Sequence, residues 1–147
     1  MKKIISKPHF FFFGLIPILL ILGFLYKKET IDVNISYTYY VIAYHHLSYL
    51  FAVFFGLVGL NYFSLYWVQK KPIKWMTLIH IILQVLALLF FFTKDKWNWL
   101  EKNNSSADLN MAIDYSNLML ILSILFFILS AFIHLINFFV SLISKSK

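Results

Sequence analysis

The chain has 147 residues, of which 61% are hydrophobic and 20% aromatic, and its formal net charge is +7. A water-soluble domain could not cover its surface with polar groups from this composition, so the sequence predicts a membrane protein. Every basic residue is a lysine and no cysteine is present, which argues against a nucleic-acid partner, a disulfide and a thiolate metal site.

Four apolar stretches follow one another along the chain, at about residues 10-26, 40-68, 75-93 and 117-143. Each can cross a hydrocarbon core about 30 Å thick, which takes about 20 residues of helix. Because helices satisfy their own backbone groups in lipid, we predict an all-α, polytopic membrane protein, a four-transmembrane-helix bundle. Residues 1-147 then form a single membrane domain with external loops at 27-39 and 94-116, the second ending in a short interfacial helix at 108-114.

Lysines and acids are distributed unequally between the two sides of these spans. The amino terminus, the loop between the second and third spans, and the carboxyl tail carry eight lysines and no acid, whereas the two other loops carry five lysines and all six acids. By the positive-inside rule, both termini are cytoplasmic. The net positive charge is therefore interpreted as a topology signal, and we expect an integral protein of the bacterial inner membrane.

Small and polar side chains recur at helical spacing in the last three spans, where they let helices approach closely and hydrogen-bond. Estimating depth at about 1.5 Å per residue places His80 level with Asn137, and Gln84 level with His134. Such pairs predict an interhelical hydrogen-bond ladder, at about 0.6 kcal/mol per bond. The residues predicted to make helix contacts are Ser48, Ala52, Gly56, Gly59, His80, Gln84, Ser130, His134 and Asn137.

Two adjacent histidines, His45 and His46, lie at the start of the second span. Ionisable side chains at membrane depth are rare and usually functional. The stretch Ile31 to Leu50, IDVNISYTYYVIAYHHLSYL, resembles the start of the tenth transmembrane helix of haem-copper terminal oxidase subunit I, which reads HDTYYVVAHFH. The small-residue run AVFFGLVGL, the inner turn QKKPIKW and two further spans are also similar to the family, so the resemblance covers its helices nine to twelve.

The resemblance implies that His46 stands where the low-spin haem has a ligand. Tyr44 falls where the oxygen-binding haem has its proximal ligand, and Ser36 and Tyr37 fall where a histidine and an aspartate of the family help to hold a metal ion outside the haems. The family's copper ligands come from earlier helices that have no counterpart here. The resemblance therefore implies the architecture of these four helices without the complete catalytic centre.

Three interpretations follow. The leading one is a non-catalytic accessory or interaction subunit of a membrane complex related to the respiratory chain. It has no cofactor, no metal and no catalytic residue. Its partners are the lipid bilayer and either other membrane subunits or further copies of itself. The alternative is a b-type haem protein with an electron-transfer role, using His46, or less readily His45, as an axial ligand. If His46 binds no haem, it is explained as a hydrogen-bonded histidine of the bundle interior. The third, disfavoured interpretation is a terminal oxidase. His9 is assigned no role.

Overall fold

The computed structural model describes residues 6–35, 38–94, 96 and 115–144, and within these ranges the chain is mostly helical. Four of its helices have the length and apolar composition needed to cross a membrane. The helices are α1 (Pro8–Leu25), α2 (Tyr44–Trp67), α3 (Lys74–Thr93) and α4 (Tyr115–Ile143), and two strands, β1 (Thr30–Ile35) and β2 (Thr38–Ala43), lie between α1 and α2.

A two-stranded antiparallel hairpin occupies most of the segment expected to be the first external loop. The strands pair from Thr30 with Ala43 to Ile35 with Thr38. Both strands, TIDVNI and TYYVIA, are rich in the β-branched and aromatic residues that favour extended structure. The second strand takes up the first four residues of the span expected at 40-68. As a result α2 begins at Tyr44, whose backbone N–H donates a hydrogen bond to the Glu29 carbonyl at 3.0 Å.

The segment after α2 ends the helix with a Schellman motif. Gln69 has a positive φ of 56°. Its N–H donates to the Tyr66 carbonyl at 3.1 Å, and the N–H of Lys70 donates to the Leu65 carbonyl at 2.8 Å. These two bonds are the pattern expected when a residue in the left-handed conformation follows the last helical turn, a position that glycine usually fills.

The contacts between described residues cluster into two compact units, and the single membrane domain expected from the sequence stays a prediction. The first unit comprises Met1–Lys74 and Asn137–Lys147, and the second comprises Trp75–Ile136. In the first, α1 and α2 run antiparallel and share an aromatic core: the Phe12 ring lies 5.7 Å from Tyr62 and 5.9 Å from Phe55, and all three side chains are buried.

The second unit is built by α3 and the larger part of α4. Its buried side chains include several polar ones, and one face of each helix supplies them. In contrast, the aliphatic and aromatic side chains at Ile82, Val85, Leu125 and Phe132 are exposed. This arrangement, polar inside and apolar outside, suits a helix pair surrounded by lipid or by other apolar helices.

Candidate functional site

The two histidines of the second span lie in the first turn of α2, directly after the hairpin. Their ring centroids are 4.1 Å apart with the planes inclined by 41°. His46 is exposed and His45 is half-buried, and the Nδ1 atom of His45 is buried without a hydrogen bond to any described residue. His46 is thus a surface side chain of the first unit.

The neighbourhood of His46 offers limited means of ligating a metal from within the chain. His45 is its sequence neighbour and therefore cannot take the opposite axial position on one iron. Among the described residues, no group of three or more histidine and acidic side chains could hold a metal ion. Tyr44 is buried, and its ring lies 5.3 Å from that of Tyr26. Ser36 and Tyr37, the other positions marked by the oxidase resemblance, lie outside the described residues.

The small-residue stripe of α2 faces α1. Gly59 lies so close to the Phe13 ring that an added Cβ would stand 2.6 Å from Phe13 Cε1. Gly56 has more room, since its nearest neighbour would be Ile16 Cδ1 at 3.7 Å. Ser48 is buried at the other end of the stripe, where Gly23 of α1 lies against it, and Ala52 is buried between them. Of the two glycines in this stripe, Gly59 therefore has the less room for a side chain.

Polar side chains of α3 and α4 meet inside the second unit. The Ser130 hydroxyl lies 2.7 Å from Gln84 Oε1 and 3.2 Å from the His80 carbonyl oxygen, and the Ser123 hydroxyl donates to the Ala87 carbonyl at 2.8 Å. The His80 ring stacks on that of His134 at 4.8 Å. We call this set, His80, Gln84, Ser123, Ser130 and His134, the polar ladder.

The register of the polar ladder differs by about one helical turn from the one estimated from depth. His80 is level with His134 instead of Asn137, and Gln84 is level with Ser130 instead of His134. The estimate from depth assumes that the start of α3 and the end of α4 lie at one level. In the first unit, however, the Ile73 N–H donates to Asn137 Oδ1 at 2.9 Å, so the last turns of α4 run beside the segment that precedes α3.

A further histidine, His9, lies in the first turn of α1 and is only 4% exposed. Aromatic rings surround it, with centroids at 4.4 Å for Phe10, 5.2 Å for Tyr66, 5.8 Å for Phe63 and 6.5 Å for Phe13. Its Nδ1 atom has no hydrogen-bond partner among the residues that the structure describes. The aromatic contacts explain why the ring is buried, but they do not require an imidazole.

His9 forms part of the wall of a cavity of about 470 Å³ at the lysine-rich end of the first unit, which we call the basic cavity. The start of α1, the last turns of α2 with Tyr66 and Trp67, and the segment with Lys70 and Lys71 line it. The sequence alone does not predict this site. Its lysines are interpreted there only as a topology signal, and the cavity depends on the turn at Gln69, where the sequence has no glycine to mark a left-handed residue.

Comparison of the chain with models of known protein families, with curated proteins and with solved structures finds no match.

Proposed function

We propose that this chain is a small, non-catalytic integral membrane protein that acts as an accessory or interaction subunit of a larger membrane complex. In this proposal its four helices form one bundle with both termini in the cytoplasm, as the lysine distribution of the sequence favours. The membrane is the bacterial inner membrane. The proposal retains the resemblance to helices nine to twelve of haem-copper oxidase subunit I as an architectural likeness.

The polar ladder is the observation that carries this proposal. Polar groups inside a membrane span mark a transport path or a catalytic site when they line a water-filled cavity, and they serve packing when they bond to one another. Here Ser130 is fully buried and contacts Gln84 and His80 on the facing helix. Ser130 thus links the two helices of the second unit, and this supports a packing role for the polar side chains there.

The exposed face of α2 supports association with a partner. His46 begins a line of exposed side chains that continues at helical spacing through Leu50, Val53 and Leu57. An imidazole at the head of an apolar face is better matched by a protein partner that offers a hydrogen bond than by acyl chains. We therefore assign the partner-binding surface to this face.

Site-specific photo-crosslinking in native membranes tests the proposal. A photoreactive amino acid at Val53, which is 63% exposed on the His46 face, should give a discrete adduct with another membrane protein. The matched position is Phe24 on α1, which is 71% exposed and lies off that face. We expect a weaker adduct or none from Phe24. Adducts with lipid alone at both positions would contradict a role in association.

The second candidate function is that of a b-type haem protein. Because His46 is exposed, a haem shared with another molecule is favoured over a haem enclosed by one chain. Six-coordinate haem needs two axial ligands, and because His46 is exposed we expect the second ligand to come from another molecule. We expect the purified monomer to lack a Soret band and any haem to accompany the oligomer or the complex. A stoichiometric bis-histidine spectrum in the monomer that is lost in His46→Ala would reject the accessory-subunit proposal in favour of haem binding within one chain.

A further inference from the structure

The basic cavity lies at one end of the first unit, where α1 begins and α2 ends. Its volume of about 470 Å³ is in the range of about 300 to 1,000 Å³ typical of small-molecule sites. All the residues that line it belong to the first unit. Because α1 and α2 both have the composition of membrane spans, their ends are expected at the depth of lipid headgroups.

The charges around the basic cavity are positive. The Lys70 ammonium donates hydrogen bonds to the carbonyls of Leu142 and Ser144 at the end of α4, which fix its position without neutralising its charge. Lys71 is exposed and also lines the cavity. The Lys7 ammonium stands 5.6 Å from the centroid of the Tyr66 ring. No carboxylate is among the described residues that line the cavity, so an anion is the ligand that this charge distribution favours.

The wall of the basic cavity also contains a buried polar group. His9 is more than nine-tenths buried, and its Nδ1 atom makes no hydrogen bond within the described part of the chain. A buried polar atom without a partner costs free energy, and a phenylalanine at this position would keep the aromatic contacts without that cost. Since His9 also lines the basic cavity, its ring brings a polar group, and not only an aromatic one, to the cavity wall.

The aromatic part of the wall distinguishes an amphiphile from a free anion. Tyr66 and Trp67 line the cavity and are also exposed on the outside of α2, and Phe10 is exposed on α1. Tyrosine and tryptophan side chains at the end of a span usually lie at the membrane interface, with the ring body against acyl chains. A ligand with a negatively charged head and apolar chains would contact both the lysines and this apolar surface.

We propose that the basic cavity binds the phosphate headgroup of an anionic phospholipid, with Lys70, Lys71 and His9 contacting the headgroup. Basic pockets between transmembrane helices on the cytoplasmic side are a known means of binding anionic lipids. The Schellman turn at Gln69 directs the chain so that Lys70 and Lys71 follow α2 at the cavity. The lipid then joins the beginning of α1 to the end of α2 from outside the protein.

Lipid binding by the purified full chain in a neutral detergent tests this proposal. The protein is delipidated and titrated separately with phosphatidylglycerol, phosphatidylcholine and inorganic phosphate, and bound lipid is counted by native mass spectrometry. We expect one phosphatidylglycerol to be retained preferentially. Equal retention of phosphatidylcholine would show that charge does not select the ligand, and inorganic phosphate that displaces the lipid at equal concentration would indicate a site for the free anion. Either result overturns the proposal.

Two variants and one control locate the site. Lys71→Gln should weaken phosphatidylglycerol binding about fivefold, the effect expected for one lysine near an anionic lipid surface. His9→Phe should also weaken it while keeping the ring contacts. Lys28→Gln removes the same charge from the hairpin end of the first unit and should leave binding unchanged. Equal losses in Lys71→Gln and Lys28→Gln would assign the effect to overall charge and reject the cavity. If His9→Phe does not fold, the comparison of the two lysine variants decides.

Discussion

The contact between Gly59 of α2 and the Phe13 ring of α1 gives a quantitative prediction. A Cβ atom at position 59 would lie 2.6 Å from Phe13 Cε1 and 2.7 Å from Phe13 Cδ1, whereas carbon atoms in contact are normally about 3.5 to 4.0 Å apart. The overlap of about 1 Å must be relieved by movement of the Phe13 ring or separation of the helices. Overpacking of this kind typically costs about 1 to 3 kcal/mol.

Gly56→Ala is the matched control for Gly59→Ala. Both substitutions replace glycine by alanine inside α2, so both gain about 0.5 to 1 kcal/mol from the better helix propensity of alanine. At position 56 the nearest side-chain atom would be Ile16 Cδ1 at 3.7 Å, an ordinary contact, so the gain is kept. Because the propensity terms cancel, we expect Gly59→Ala to be less stable than Gly56→Ala by about 1 to 3 kcal/mol.

Reversible unfolding of the purified protein in mixed micelles, followed by circular dichroism, measures this difference. A second substitution, Phe13→Leu, should reduce the penalty of Gly59→Ala because it removes the ring atoms that the new methyl group meets. The interaction free energy from the double-mutant cycle should therefore be favourable. Equal stability of Gly59→Ala and Gly56→Ala, with no coupling to Phe13, would refute the role given to this contact.

Three other predictions concern the polar ladder, the turn after α2 and the topology. Ser130→Ala should lower the free energy of unfolding by about 0.6 to 1.7 kcal/mol, the range for interhelical hydrogen bonds in a membrane. Ser64 is exposed and bonds within its own helix, so Ser64→Ala should have little effect on unfolding in micelles. Gln69→Gly should raise thermal stability, because a side chain in the left-handed conformation costs about 1 to 2 kcal/mol and glycine removes this cost. The greater flexibility of glycine in the unfolded chain offsets part of the gain. A lower melting temperature would contradict this prediction. A single cysteine at Lys28 should react with an impermeant reagent added outside intact cells, and one at Lys74 should not; the opposite pattern would invert the topology.

The sequence predicts the helices well because the signal for each lies within one continuous segment. Each of the four described helices falls within or close to one of the predicted apolar stretches. The start of the second span was less predictable. Tyr40, Val41 and Ile42 are apolar enough for a membrane span, but they are also strong strand formers, and pairing with β1 decided between these alternatives.

The candidate sites differ in predictability for a similar reason. Helical spacing alone identified Gln84 and Ser130 as inward-facing residues, since all the members of one stripe belong to one helix. Their partners depended on the vertical register of two helices, which spacing does not determine. The basic cavity could not be predicted from helical spacing, because His9 and Lys71 are brought together only by the packing of α1 on α2 and the turn at Gln69.

The end of the hairpin sets where α2 begins, and this bears on both candidate functions of the histidine pair, partner association and haem ligation. Because successive residues on a helix are rotated by about 100°, the residue at which α2 begins and its packing on α1 determine which histidine faces outward. Tyr44 and Ser48 are buried, and His46 between them is exposed. Any group that bonds to His46, whether a polar side chain or a haem iron, must then approach from outside the first unit. A haem bound by His46 would therefore lie outside the first unit, and a partner that covers Leu50 and Val53 would also meet His46.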